Sequence, residues 1–153
     1  MKNIVVTTDL SEESKAAFEL ALQFAKAFHG TIHLLAVVED PAQAAMLYAL
    51  DFPVSPIADV QHQLRDKVRA DLDALSKQYF TDVQCIPHVI EASGAVHDEI
   101  IDFAQSLPAD LLVISSHGRA GLSRLLIGSV VEKVVRECPC PVVTVPSRAR
   151  KDR

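Results

Sequence analysis

Tryptophan is absent from this 153-residue chain, tyrosine occurs twice and phenylalanine six times. The core must therefore be aliphatic, and the aromatic platforms on which single-stranded nucleic acid stacks are few. No apolar run approaches the ~18 residues of a membrane span, and Met1-Lys2-Asn3 leads straight into a strand pattern where a signal peptide would stand. The three cysteines, Cys85, Cys138 and Cys140, make an odd count. Cys138 and Cys140 bracket Pro139 and are too close in sequence for an ordinary bridge, and no second cluster stands at metal-ligand spacing. They read as small buried thiols ahead of a strand. Together these absences predict a cytoplasmic protein with no membrane insertion and no resident metal.

Basic residues are short too, with 15 Lys and Arg against 20 Asp and Glu. The segment 147–153 holds four of those bases and one acid, so residues 1–146 carry 11 bases against 19 acids. A body this acidic repels a phosphate backbone, and nucleic acid is not an expected partner.

With 49% apolar residues, 153 positions supply one core and not two. Five apolar, β-branched runs stand out: Ile4 to Thr8, Ile32 to Val38, Val83 to Ile90, Leu111 to Ile114 and Val142 to Val145. Most lack strict alternation, as strands buried on both faces of a parallel sheet do. Helical periods separate them. Ala17, Ala21, Phe24 and Phe28 mark the first helix, with Ser11 as its expected N-cap and Gly30 at its expected end. Leu64, Val68, Leu72, Leu75 and Tyr79 mark a second over 58–80; Val96, Ile100, Phe103 and Leu107 a third; Ile127, Val131, Val134 and Cys138 a fourth. This alternation predicts a single-domain, doubly wound α/β fold with a five-stranded parallel sheet over 1–146. The stretch 39–57 has three of the eight prolines and no clear period, and reads as a flexible flap. The segment 147–153 reads as a basic tail.

Three of the five glycines, Gly118, Gly121 and Gly128, fall within eleven residues after the fourth strand run. Ligands of open α/β sheets bind at the carboxyl ends of the strands. Glycines there either shape a long turn or bring backbone amides onto a phosphate, and Gly128-Ser129 opening a helix offers amides and a hydroxyl to an anion. The pattern is not a Walker loop, since no Gly-Lys-Ser/Thr follows, and no Gly-x-Gly-x-x-Gly follows the first strand.

Four stretches together resemble a universal stress protein domain along nearly the whole chain. They are Ile4-Val5-Val6-Thr7-Thr8-Asp9 with Ser11-Glu12, Leu34-Leu35-Ala36-Val37-Val38, Ser116-His117-Gly118-Arg119 through Gly128-Ser129-Val130, and Cys140-Pro141-Val142-Val143-Thr144-Val145-Pro146. The nucleotide-binding branch of that family carries Gly-x2-Gly-x9-Gly-Ser/Thr. Here Gly118 and Gly128 are separated by nine residues and Ser129 follows, while Ser115 replaces the first glycine. The resemblance implies a Rossmann-like fold of the adenine nucleotide alpha-hydrolase type. It implies a stress-response regulatory module that is not an enzyme, binds ATP with Mg²⁺ as a candidate companion, and forms a homodimer through strand 142–145. Carried over by residue, it places Asp9 near the nucleoside or a metal and adenine against the backbone of Val37. Ser115 and Gly118 fall at ribose and phosphate, and Gly128, Ser129 and Val130 at the phosphates. Asp9 also reads as a turn carboxylate before Ser11, and Val37 as ordinary core.

Two alternatives stand beside this reading. A non-nucleotide interaction module of the same fold is favoured by Ser115. A slow adenine-nucleotide hydrolase lacks support, since the Ser115-Ser116 pair has no nucleophile-elbow pattern and no paired carboxylates are evident. The six histidines are scattered along the chain; His33 and His88 read as satisfied polar residues of buried strands, and His97, Asp98 and Glu99 as the opening of the third helix.

Overall fold

The computed structural model describes residues 1–39, 57–116 and 128–147, with the backbone alone over 57–61. The described elements alternate as β1 (Asn3–Thr7), α1 (Ala16–Phe28), β2 (Thr31–Val38), α2 (Ile57–Tyr79), β3 (Cys85–Glu91), α3 (Val96–Ser106), β4 (Leu111–Ser115), α4 (Ser129–Glu137) and β5 (Val142–Val145). All five strands join one parallel sheet in the order β3-β2-β1-β4-β5. The expected α/β architecture is the one observed. The flap 39–57 lies outside the described residues except at its two ends, as does the basic tail beyond Ser147.

Alternation along the central strands sorts their side chains into two cores. On one face Ile4, Val6, Ile32, Leu34, Leu111 and Val113 meet Ala17, Phe18 and Ala21 of α1 and Val68, Leu72 and Leu75 of α2. On the other, Val5, Leu35, Leu112 and Ile114 meet Ile100 and Ala104 of α3 and Val131 and Val134 of α4. Both faces of β1, β2 and β4 are thus covered, which is why their runs show no polar alternation. The edge strands β3 and β5 depart from that expectation and are only half-buried. Phe18 anchors the first core, with its ring 5.3 Å from those of both Tyr79 and Phe80.

Two local expectations are corrected, at Ser11 and at Phe28. α1 starts at Ala16 with Lys15 at the N-cap position, not at Ser11. The Ser11 hydroxyl instead accepts the Ser14 amide at 3.2 Å, closing a turn before the helix. The helix ends where expected, just before Gly30, with His29 as its left-handed C-cap (φ 51°). Gly30 serves a close approach, since a Cβ there would lie 3.0 Å from the Met1 carbonyl. Phe28, expected on the inner stripe, is 47% exposed, while Phe18 is buried. The buried face of α1 runs through Ala17, Phe18, Ala21 and Ala25 and leaves the last turn in solvent.

Candidate functional site

Strand order reverses around β1, which lies between β2 and β4 while the chain winds outward on both sides. A crevice forms at the carboxyl ends of the strands at such a reversal. The β1–β2 register ends at Thr7↔Leu35, and the Thr8 amide donates to the Leu35 carbonyl at 2.9 Å. Asp9 and Val37 each lie two residues beyond that pair. Main-chain groups alternate in direction along a strand, so the N–H and C=O of Val37 face the β1 side, as those of Leu35 do. They lie past the end of β1, where a flat ring can be met by a main-chain donor and acceptor. The Val37 side chain packs into the second core, as the plain reading of it holds.

The turn after β1 is tied by side chains. Asp9 Oδ1 accepts the Ser11 amide at 3.0 Å and the Ser11 hydroxyl at 2.5 Å. The buried hydroxyls of Thr8 and Ser14 are 2.7 Å apart, and Thr8 Oγ1 accepts the Leu10 amide at 3.0 Å. These bonds hold Leu10 in the left-handed region at φ 66°, which an isolated leucine resists. The turn-carboxylate role of Asp9 is therefore realised at the mouth of the crevice. Thr8 and Ser14 were not singled out from sequence, because a spacing of six matches neither a strand nor a helical period.

Across β1, the β4 ladder reaches Val6↔Val113, and Ser115 lies two residues further. Ser115 is 5% exposed, and strand alternation puts its side chain on the Val113 face. The Ser116 amide donates to the Val145 carbonyl at 2.8 Å, and the Ser116 carbonyl accepts the Gly128 amide at 3.3 Å. Gly128 is the N-cap of α4, with φ −60° and ψ 147° and no side-chain cap. The first intrahelical bond runs from the Glu132 amide to the Gly128 carbonyl, so the amides of Ser129, Val130 and Val131 precede the helix's own acceptors. Among the described residues, a Cβ on Gly128 would meet only the Ser116 carbonyl, 3.7 Å away, an ordinary contact. Neither the backbone angles nor the packing of the described residues demands glycine here. The structure thus gathers Asp9, Val37, Ser115, Gly128, Ser129 and Val130 at one end of the sheet, and Gly118 lies outside the described residues.

Two other polar groups stand out, a histidine pair between β2 and β3 and the Glu99 carboxylate beside the end of β3. His33 and His88 stack with ring centroids 5.2 Å apart, and His33 Nδ1 and His88 Nε2 share a hydrogen bond of 3.0 Å. His88 also abuts Phe103 at 4.8 Å. Burial lowers the pKa of both, with help from His88 on His33 and from Arg69 on His88. The expectation that both are satisfied is corrected for His33, whose Nε2 is buried without a partner. Glu99 reaches back from α3 to accept the Ser93 amide and hydroxyl, each at 2.8 Å, and these bonds hold its carboxyl below the usual range. Among the described residues, no group of three His, Cys, Asp or Glu side chains is arranged to hold a metal, and no helix is long and apolar enough to cross a membrane.

A parallel sheet reversing at β1, with a helix N-terminus beside the reversal, defines an α/β protein of the kind that takes ligands at its strand ends. More narrowly, the chain belongs to the universal stress protein family, whose family model matches residues 1–146. It is 27% identical over 144 residues to universal stress protein MJ0531 of Methanocaldococcus jannaschii, covering 94% of this chain and 81% of that one. The solved structure of MJ0577, from the same organism, superposes with a TM-score of 0.73 at 24% identity, covering 99% of this chain and 98% of that one. A universal stress protein solved in complex with cAMP gives a TM-score of 0.65 at 23% identity, covering 96% and 98%. One from Archaeoglobus fulgidus in complex with dAMP gives 0.63 at 16%, covering 95% and 98%.

Proposed function

We propose that this chain is an ATP-binding regulatory module of the stress response, acting as a homodimer. The observation that carries the nucleotide reading is Gly128, a glycine that neither its backbone angles nor the described residues around it require, at the N-cap of a helix that starts beside the end of β4. The cAMP and dAMP complexes of the structural relatives support an adenine ligand. In this reading adenine meets the backbone of Val37, and ribose and phosphate meet Ser115 and Gly118. Gly128, Ser129 and Val130 hold the phosphates, with the helix dipole favouring their charge. Asp9, fixed by Ser11, stands near the nucleoside or a Mg²⁺ ion arriving with the nucleotide.

Calorimetric titration with Mg-ATP tests this. The wild type should bind, and Ser129→Ala should weaken binding by roughly ten- to a hundredfold through loss of one charge-assisted hydrogen bond. Ser115 favours the second reading, an interaction module of the same fold that takes no nucleotide. Ser115→Gly separates the two. In a nucleotide-binding protein it leaves affinity equal or better, whereas restored binding in a chain otherwise silent at millimolar nucleotide establishes the second reading. The proposal assigns binding without turnover, and steady phosphate release above a Ser129→Ala background would overturn that part.

The dimer is proposed through β5. Its inner main-chain groups serve β4, since the carbonyls of Pro141 and Val145 accept the Leu112 and Ser116 amides. By alternation the amides of Val142 and Thr144 face outward along an apolar edge, which pairing with a second copy would cover. Thr144→Pro removes an outer donor and leaves the ladder to β4 intact. It should turn a sedimenting dimer into a folded monomer. Wild-type protein that sediments as a monomer at micromolar concentration ends this reading.

A further inference from the structure

Cys138 and Cys140 lie on the connection between α4 and β5, and their sulfurs are 3.5 Å apart in a shared hydrogen bond. Side chains two apart in extended chain share a face but stand farther off; here the chain bends at Pro139 and Cys140, bringing the thiols together. Both are half-buried against the second core, so a small molecule can reach them from solvent. We propose that Cys138 and Cys140 are a reversible redox site, a dithiol that closes to an intramolecular disulfide by exchange with a small-molecule disulfide such as oxidised glutathione.

The geometry asks for little movement. Closure takes the sulfurs from 3.5 Å to about 2.0 Å. Neither cysteine lies within a regular element, so side-chain rotation and the bend at Pro139 absorb the change and the ladder to β4 stays as it is. The ring spans a single intervening residue, smaller than that of most structural disulfides, and this suits a bond that opens again. The order of attack follows from the surroundings. Burial, then the Cys138 hydrogen bond and charge, push the Cys140 thiol up to about 12, so Cys140 keeps its proton at rest. Cys138 is the entering nucleophile. Its thiolate attacks one sulfur of the small disulfide, forming a mixed disulfide and releasing one thiolate. With Cys138 no longer a thiol neighbour, Cys140 gives its proton to solvent and attacks the Cys138 sulfur, expelling the second thiolate. Two protein thiols lose two electrons, and one small disulfide becomes two thiols. Cys85 takes no part; it sits in β3 and packs against the first core, on the opposite face of the sheet.

This site does not depend on the nucleotide reading. It lies at the far end of α4, whose nine residues put it roughly 13 Å from Ser129. Its test is an equilibrium titration of the full chain against mixtures of oxidised and reduced glutathione, quenched with acid and read by intact mass and peptide mapping. The wild type should lose two hydrogens, retain Cys85 as its one alkylatable thiol, and regain all three thiols on reduction. Cys138→Ser and Cys140→Ser should each stop at a glutathione adduct. The same titration in urea supplies the reference, and native protein should close at least tenfold more readily than the unfolded chain. Wild-type protein that stays reduced, accumulates glutathione adducts in place of the internal bond, or closes no better folded than unfolded would overturn the proposal.

Discussion

Replacing Gly128 with valine should abolish Mg-ATP binding, a loss of at least a hundredfold, while the protein stays folded. The two halves rest on different facts. Folding tolerates the change because φ −60° and ψ 147° suit any residue and, among the described residues, an added Cβ makes only an ordinary contact with the Ser116 carbonyl. A branched side chain is a poor N-cap, so a cost of up to about 1 kcal/mol is expected in denaturation. Binding does not tolerate it, because the new methyl groups would fill the space in which phosphate oxygens approach the amides of Ser129 and Val130. A hundredfold loss corresponds to about 2.7 kcal/mol, well beyond the stability change. Gly128→Ala should fall between. Calorimetry paired with urea denaturation reads both quantities, and unchanged affinity in Gly128→Val would place the ligand elsewhere.

Acidification should destabilise the fold through the pair His33 and His88 before any carboxylate titrates. The bond of 3.0 Å between their ring nitrogens needs one donor and one acceptor, so at least one ring must stay neutral in the native state and the two cannot both be protonated without breaking it. Burial lowers both pKa values, and His33 is only 6% exposed. The unfolded chain protonates these rings near pH 6.5 while the folded chain resists. Below that point the unfolded state holds more protons, so stability falls as pH falls, by at most about 1.4 kcal/mol per pH unit for each ring. The loss starts at pH 6.5 and stops at the depressed native values. Glu99 has the same sign in a separate window. Its lowered pKa stabilises the fold above the carboxylate range, and that contribution is lost only below about pH 4. Urea denaturation between pH 7.5 and 5.5 should show the slope in the wild type and a much flatter one in His33→Leu with His88→Phe. Equal slopes in both proteins would remove the histidines from the account.

The architecture was legible because its signals are periodic. Strands covered on both faces read as unbroken aliphatic runs, as in Ile4 to Val6, and the helices between them carried apolar stripes such as Val68, Leu72 and Leu75. The crevice was legible because glycine is rare in this chain and Gly128 stands before a helix. What depends on contact between distant segments was not. Ser11 has the chemistry of an N-cap, yet the Asp9 carboxylate claims its amide and hydroxyl and the helix starts later. Phe18 lies outside the stripe read from Phe24 and Phe28, because the sheet surface and α2 set which side of α1 is buried. The pairing of His33 with His88 crosses 55 positions and depends on β2–β3 register. The nearness of the two thiols depends on a bend that residue types alone do not specify.

The central place of β1 also sets a timetable for synthesis. Asn3 meets Asp110 across 107 residues, and β1 cannot complete its pairing until β4 exists. At translation rates of about 5–20 residues per second, this central strand waits roughly 5–20 seconds on the ribosome with one flank open. During that interval Ile4, Val5 and Val6 offer an apolar ribbon to any neighbouring nascent chain. Early docking of β1 against α1 and β2, all within the first 38 residues, shields one edge and leaves the other exposed. The growing polypeptide is therefore most vulnerable to aggregation between the emergence of β2 and that of β4, and slowing elongation across that stretch should lower the yield of folded protein.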